Sequence, residues 1–208
     1  MKKNLLFCLF VVALLFGVVQ AGLAPSILPE SSHYQGRHSF SEVVGDGEKV
    51  EGHLEFAVYT GTQAEDMISN TGYQGEADFV YAYQIFNYQE SDAALTYFAV
   101  TGINPATVEA GSIGAMDDLA GGIQPDDGGY FNASETKGIW EFNNAKLIQG
   151  AQSWFLFVYS NYDWVPGGME LQTTYDDDIP TPEVPEPMTL ALFLGGTVLS
   201  LRRRHKRA

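Results

Sequence analysis

The chain has almost no cysteine. Its single thiol, Cys8, lies inside an apolar N-terminal run. From Gly22 onward there is none, which excludes disulfides and cysteine-ligated metals from that part. Basic residues are nearly as scarce there. Between Gly22 and Pro187 only Arg37, Lys49, Lys137 and Lys146 stand against all 26 acidic residues, a net charge of −22. Such a body repels nucleic acid and anionic lipid, so nucleic acid is not an expected partner. Catalytic signatures are missing too. There is no His-Glu-x-x-His pair and no phosphate-cradling Gly loop. Gly111-Ser112-Ile113-Gly114 resembles part of a nucleophile elbow, but Ala110 breaks the Gly-x-Ser-x-Gly pattern. His33, His38 and His53 are the candidate bases of the body, and His33 and His38 read as solvent-exposed. No long stretch carries a 3.6-residue apolar period, and no internal repeat is found.

What is present points to strands. Aromatic residues make up 13% of the chain and glycines number 22, a combination in which rings fill strands and Gly fills turns. Short alternating runs occupy Leu54 to Tyr59, Phe79 to Phe86, Leu95 to Thr101, Gly138 to Phe142, Ser153 to Ser160 and Met169 to Tyr175. In the second run Phe79, Tyr81, Tyr83 and Ile85 share one face, and Val80, Ala82, Gln84 and Phe86 the other. Turn signals separate the runs at Gly45-Asp46-Gly47, Asn104-Pro105, Asp126-Asp127-Gly128-Gly129 and Pro166-Gly167-Gly168. Gln63 to Ser69 suits one helical turn. Punctuated short strands predict an all-β fold, an antiparallel β-sandwich of jelly-roll or Ig-like type, over 36–175. An extended, Pro- and Ser-containing lead-in over 22–35 precedes it. Residues 176–187, with three successive Asp and four Pro, read as a stiff acidic spacer.

The two ends carry a different message. Lys2 and Lys3 precede an apolar run of 15 residues, Leu5 to Val19, and Val19-Gln20-Ala21 then offers small residues where a signal peptidase reads. This predicts a signal peptide over 1–21, cut between Ala21 and Gly22. An uncleaved anchor is the alternative, disfavoured because a spanning helix needs roughly 20 apolar residues. At the other end come Val184-Pro185-Glu186-Pro187, then an apolar run of 14 residues from Met188 to Leu201, then Arg202-Arg203-Arg204-His205-Lys206-Arg207. As a helix that run rises about 21 Å, short of a hydrocarbon core of roughly 30 Å. It can insert by thinning the bilayer, with the basic cluster held on the cytoplasmic side.

In this order the three parts resemble the PEP-CTERM sorting signal. The resemblance covers the tail from Val184 onward. It implies export, recognition by an exosortase in the inner membrane, and removal of the tail near Pro185-Glu186-Pro187. It further implies a bacterium that makes exopolysaccharide, and a protein tethered to the inner membrane before processing and placed at the cell surface or in the matrix after it. An ordinary C-terminal membrane anchor is the alternative. The run Trp140-x-Phe142, Leu147, Gly150, Ser153, Leu156, Tyr159-Ser160 is loosely similar to bodies common among such proteins, and that similarity carries no activity.

Two candidate sites remain in the body. Asp126 and Asp127, followed by a Gly pair, are the best candidates for Ca²⁺, since hard cations prefer oxygen ligands; the alternative is a solvated acidic loop. Trp164, between Asp163 and Pro166 in an expected loop, is the best surface aromatic for a ligand. Trp140, Trp154, Tyr81 and Tyr83 fall on faces a sandwich buries. The composite expectation is a non-enzymatic envelope or matrix protein, structural or associated with exopolysaccharide. The alternative is a secreted carbohydrate-active hydrolase, which needs two carboxyl groups held about 5–10 Å apart across a cleft. No residue pair is nominated for it by sequence.

Overall fold

Alternation in two neighbouring runs builds the first sheet of this computed structural model. It describes residues 28–182, apart from 45–46, 109–110, 119, 135 and 173, and gives the backbone only for 174–179. Strand β2 (Glu48–Thr60) pairs antiparallel with β3 (Phe79–Asn87), which sets Phe56 opposite Tyr83 and Glu55 opposite Gln84. Strand β1 (Tyr34–Val44) flanks β2 as an edge, and β8 (Phe155–Ser160) followed by β5 (Ile113–Met116) completes the order β1-β2-β3-β8-β5. The second sheet has the order β10-β9-β4-β7-β6, from Thr174–Pro182, Trp164–Leu171, Tyr97–Thr101, Lys137–Glu141 and Tyr130–Phe131. Every ladder is antiparallel. The chain is therefore all-β in class, with one short α-helix among the described residues.

The two sheets share one apolar core. Leu54, Val58, Tyr83, Ile85 and Leu156 from the first meet Phe98, Val100, Trp140, Met169 and Leu171 from the second. Tyrosines and a tryptophan fit there because their polar tips find carbonyls. Trp140 Nε1 donates to the carbonyl of Gly114 across the sheets at 3.0 Å, and Tyr83 Oη donates to that of Pro180 at 2.6 Å. The outer face of the first sheet is also buried over part of its width. Helix α1 (Thr62–Thr71) turns Ala64 and Met67 onto Ala57, Val80, Ala82 and Phe157. The three-residue spacing of Ala64 and Met67 puts both on one helix face. Gly72 closes the helix in a left-handed conformation, its N–H bonded to the carbonyl of Ile68.

Four sequence expectations are corrected. The lead-in over 22–35 is too long, because the chain is already packed at Leu28 and β1 begins at Tyr34. Residues 176–182 are not a spacer but most of β10, which pairs with β9 from Thr174 to Pro182 around a bulge between Asp177 and Ile179. Pro166-Gly167-Gly168 lies within β9 rather than in a turn. The ladder to β4 stops at Gly168, so Pro166, whose nitrogen carries no proton, faces only β10. Gly167 permits close approach there: a Cβ on it would lie 2.3 Å from the Thr181 side chain and 2.7 Å from the Thr101 carbonyl. Finally, the run Met169 to Tyr175 is not one strand; it crosses the β9–β10 hairpin, with Gln172 at φ 51° in the bend.

Candidate functional site

Two places on the body gather polar and titratable side chains from distant segments. The first is a row across the outer face of the first sheet, made by cross-strand register. Arg37 of β1 lies opposite Glu55 of β2, and Glu55 opposite Gln84 of β3. Arg37 Nη2 donates to Glu55 Oε1, and His53 Nε2 lies 3.5 Å from the same oxygen. The His53 ring stacks flat on Phe86 with centroids 4.3 Å apart, and its Nδ1 is 3.1 Å from Tyr88 Oη. The Gln84 amide nitrogen donates to Asp118 Oδ2 and to the Ser153 carbonyl, both at 2.9 Å. Asp118 also accepts from the amide of Gln152 and from the backbone N–H groups of Ala120 and Gly122. Glu55 and Asp118 are 2% and 6% exposed. Buried carboxylates need such partners, and these have them. A cavity of about 230 Å³ opens beside the row, against Arg37, Glu55, Gln35 and Leu28.

The second place is a cleft at one end of the fold, of about 170 Å³. The stretch after α1 supplies Tyr73 and Glu76, the segment leading into β5 supplies Ser112, and the end of β8 supplies Tyr159, Asn161 and Tyr162. Tyr73 and Tyr159 stack face to face, centroids 4.1 Å apart. Burial pushes the Tyr159 phenol up to about 12, with a hydrogen bond to Thr71 opposing the shift and the Tyr73 phenol adding to it. Tyr162 is held by its backbone, whose carbonyl accepts from Tyr81 Oη at 2.7 Å and whose N–H donates to Ser160 Oγ at 3.1 Å. The residue is 40% exposed. Asn161 Oδ1 accepts from the Asp78 N–H at 3.1 Å. The Asn161 amide nitrogen, the Tyr162 hydroxyl and the exposed Glu76 carboxylate make no hydrogen bond to described residues and face solvent.

The sequence-nominated residues lie elsewhere and apart from one another. Asp126 accepts from the backbone N–H of Asn143 at 2.8 Å and from that of Asn144 at 3.2 Å, tying the turn before β6 to the loop after β7. Its Gly pair serves packing. Gly128 and Gly129 have φ of 69° and 103°, and a Cβ on Gly129 would lie 2.4 Å from Trp140 Nε1. Asp127 is exposed. Among the described residues no three of His, Cys, Asp and Glu stand close enough to share a metal ion. Trp164 is corrected from loop to strand: it opens β9 opposite Pro182 and stacks on Tyr34, centroids 4.0 Å apart, partly buried against the core. The reason is that Pro180 and Pro182 continue the sheet beyond the expected boundary. Of the histidines, His33 is exposed and bonded to Asp163 at 2.8 Å, His38 is half-buried on β1, and His53 is buried. Ala21, Gly22, Val184, Pro185, Glu186, Pro187, Arg202, Arg203 and Arg204 lie outside the described residues. Among the described residues no helix is long and apolar enough to cross a membrane.

The sequence reading missed both gatherings. The Arg37–Glu55 pair needs the β1–β2 register, and β1 itself carries too many polar residues to stand out. In the cleft, Asn161-Tyr162-Asp163 after a strongly apolar strand is a turn bearing an aromatic, the one local signal available. Compared with known protein families, with curated proteins and with solved structures, the chain matches none at a significant level.

Proposed function

We propose that the chain is an exported cell-envelope or extracellular-matrix protein, sorted by an exosortase through its C-terminal tail, with a non-enzymatic body associated with exopolysaccharide. Signal peptidase removes residues 1–21, and the tail holds the protein at the inner membrane until it is cut. The observation that carries the reading is the order Val184-Pro185-Glu186-Pro187, apolar run, Arg cluster, behind a secretory leader in the same chain. Strand β10 ends at Pro182, two residues before Val184 in the sequence. The body is a β-sandwich of Ig-like type. Neighbouring strands β2-β3-β8-β5 correspond to the order A-B-E-D, and β4-β9-β10 to C-F-G.

Two carboxylates buried on one sheet face would suit the hydrolase alternative, but both are already engaged. Asp118 accepts from four donors and Glu55 is ion-paired with Arg37. A general acid in glycoside hydrolysis needs a proton to give and a substrate oxygen to give it to. Replacing Pro185, Glu186 and Pro187 together by Ala tests the sorting reading. The expected variant is exported but keeps its tail at the membrane, seen by intact mass in an exosortase-bearing host. Identical C-termini in the variant and the wild type would contradict it.

A further inference from the structure

We infer that the cleft between Tyr73, Tyr159 and Tyr162 binds an uncharged saccharide unit of a polysaccharide chain; the inference rests on the polysaccharide-associated reading and assigns it a place. The argument begins with what the cleft leaves unpaired. A sugar ring has apolar C–H faces and a rim of hydroxyls that both donate and accept. Its complement is an aromatic surface flanked by at least one free donor and one free acceptor. Tyr162 supplies the surface: the residue lines the cleft, is 40% exposed, and has its backbone fixed by two hydrogen bonds. Amphipathic rings of this kind offer contact area at low entropic cost. The Asn161 amide nitrogen is the free donor, held in place because Asn161 Oδ1 is bound to the Asp78 N–H. Glu76 lines the same cleft as the acceptor, and the Tyr162 hydroxyl serves as either.

Size and charge narrow the ligand. A volume of about 170 Å³ is below the roughly 300–1,000 Å³ of clefts that enclose a drug-sized molecule. It suits one ring of a chain lying across the end of the fold. No Lys or Arg lines the cleft, Glu76 does, and the body carries 26 acidic residues against four basic ones. A uronate or sulfated sugar would therefore meet repulsion from the cleft and from the whole body. The ligand class is a neutral polysaccharide.

The test is a titration of the exported protein with soluble β-1,3-glucan, hydroxyethylcellulose and galactomannan, and with alginate and polygalacturonate as charged counterparts. Binding to at least one neutral polymer and to neither polyuronate is expected. Tyr162→Ala should weaken that binding on the order of tenfold or more, and Asn161→Asp, which keeps the acceptor for Asp78 and deletes the donor, by several-fold. Circular dichroism checks that both variants remain folded. Failure to bind any neutral polymer, or preference for a polyuronate, overturns the inference. Binding that Tyr162→Ala and Asn161→Asp leave intact also overturns this site, while leaving polysaccharide association standing. Processing of the tail, measured on the same samples, reports on the sorting reading separately.

Discussion

The polar row on the outer sheet face and the cleft at the end of the fold both gather polar side chains from distant segments, yet they differ in where their hydrogen bonds go. In the row, Glu55 and Asp118 turn their oxygens to Arg37, Gln84, Gln152 and backbone N–H groups. Two atoms there, Gln84 Oε1 and His53 Nε2, are buried without a protein hydrogen bond. In the cleft, one end of Asn161 fixes a turn and the other end faces out, and Tyr162 is anchored by its backbone alone. The first pattern holds a fold together. The second holds side chains still while leaving their chemistry open, which is what preorganised binding requires. The proposed saccharide site therefore rests on unused hydrogen-bonding capacity on a fixed frame, not on burial of charge.

The largest effect should come from breaking the row. Glu55→Ala removes the buried carboxylate that accepts from Arg37, and should cost about 3 kcal/mol of stability in urea unfolding. Replacing Arg37 by Met together with Glu55 by Leu should recover most of that loss, because an apolar pair needs no compensation. A double variant as unstable as Glu55→Ala would show that the pair does more than satisfy itself. Asp118→Ala comes next. It leaves two backbone N–H groups and two side-chain amides short of an acceptor, and should cost about 2 kcal/mol, read as a thermal melt lowered by several degrees.

A smaller effect separates buried from open tyrosines by pH. Burial pushes the Tyr159 phenol up to about 12, and burial with the nearby Glu170 carboxylate pushes that of Tyr97 to about 12. Below pH 10 both states hold these protons and the contribution is complete. Between pH 10 and about 12 the unfolded chain releases them and the fold does not, so stability falls as pH rises. The urea midpoint should decline across this window, and less steeply in Tyr159→Phe. Equal slopes in the two proteins would contradict the assignment. The smallest effect belongs to the cleft rim: Tyr162→Ala should change stability by no more than about 0.5 kcal/mol, since its exposed ring supports little.

How much of this was legible in the sequence depends on what each segment had to say alone. Strands β2, β3, β4, β7 and β8 announce themselves because one or both faces are apolar, as in Phe79 to Phe86. Strand β1 does not. As an edge it alternates Phe40 and Val44 with Arg37, Ser39 and Ser41, a pattern that also fits a loop. Strand β10 hides behind Asp and Pro, residues that extend a free chain but are tolerated on a sheet edge. Pro166-Gly167-Gly168 carries turn chemistry, and only the neighbouring Thr181 and Thr101 explain why a glycine sits in a strand. Neither gathering of polar residues was legible, because each joins positions tens of residues apart that meet only through register or at the end of the fold. The tail motif, by contrast, is local and needs no tertiary contact to be read.

The distinction between the row and the cleft is tested most directly by thermal melting with and without a neutral polysaccharide from the titration above that shows binding. A ligand that binds only the folded state raises stability by linkage, about 2.7 kcal/mol at a hundredfold excess over its dissociation constant. The wild type should therefore melt several degrees higher with that polymer. Asp118→Ala should start lower and gain the same increment. Tyr162→Ala should melt with the wild type in the absence of the polymer and gain almost nothing in its presence. An undiminished gain in Tyr162→Ala, or a gain abolished by Asp118→Ala in a variant that still folds, would contradict the account.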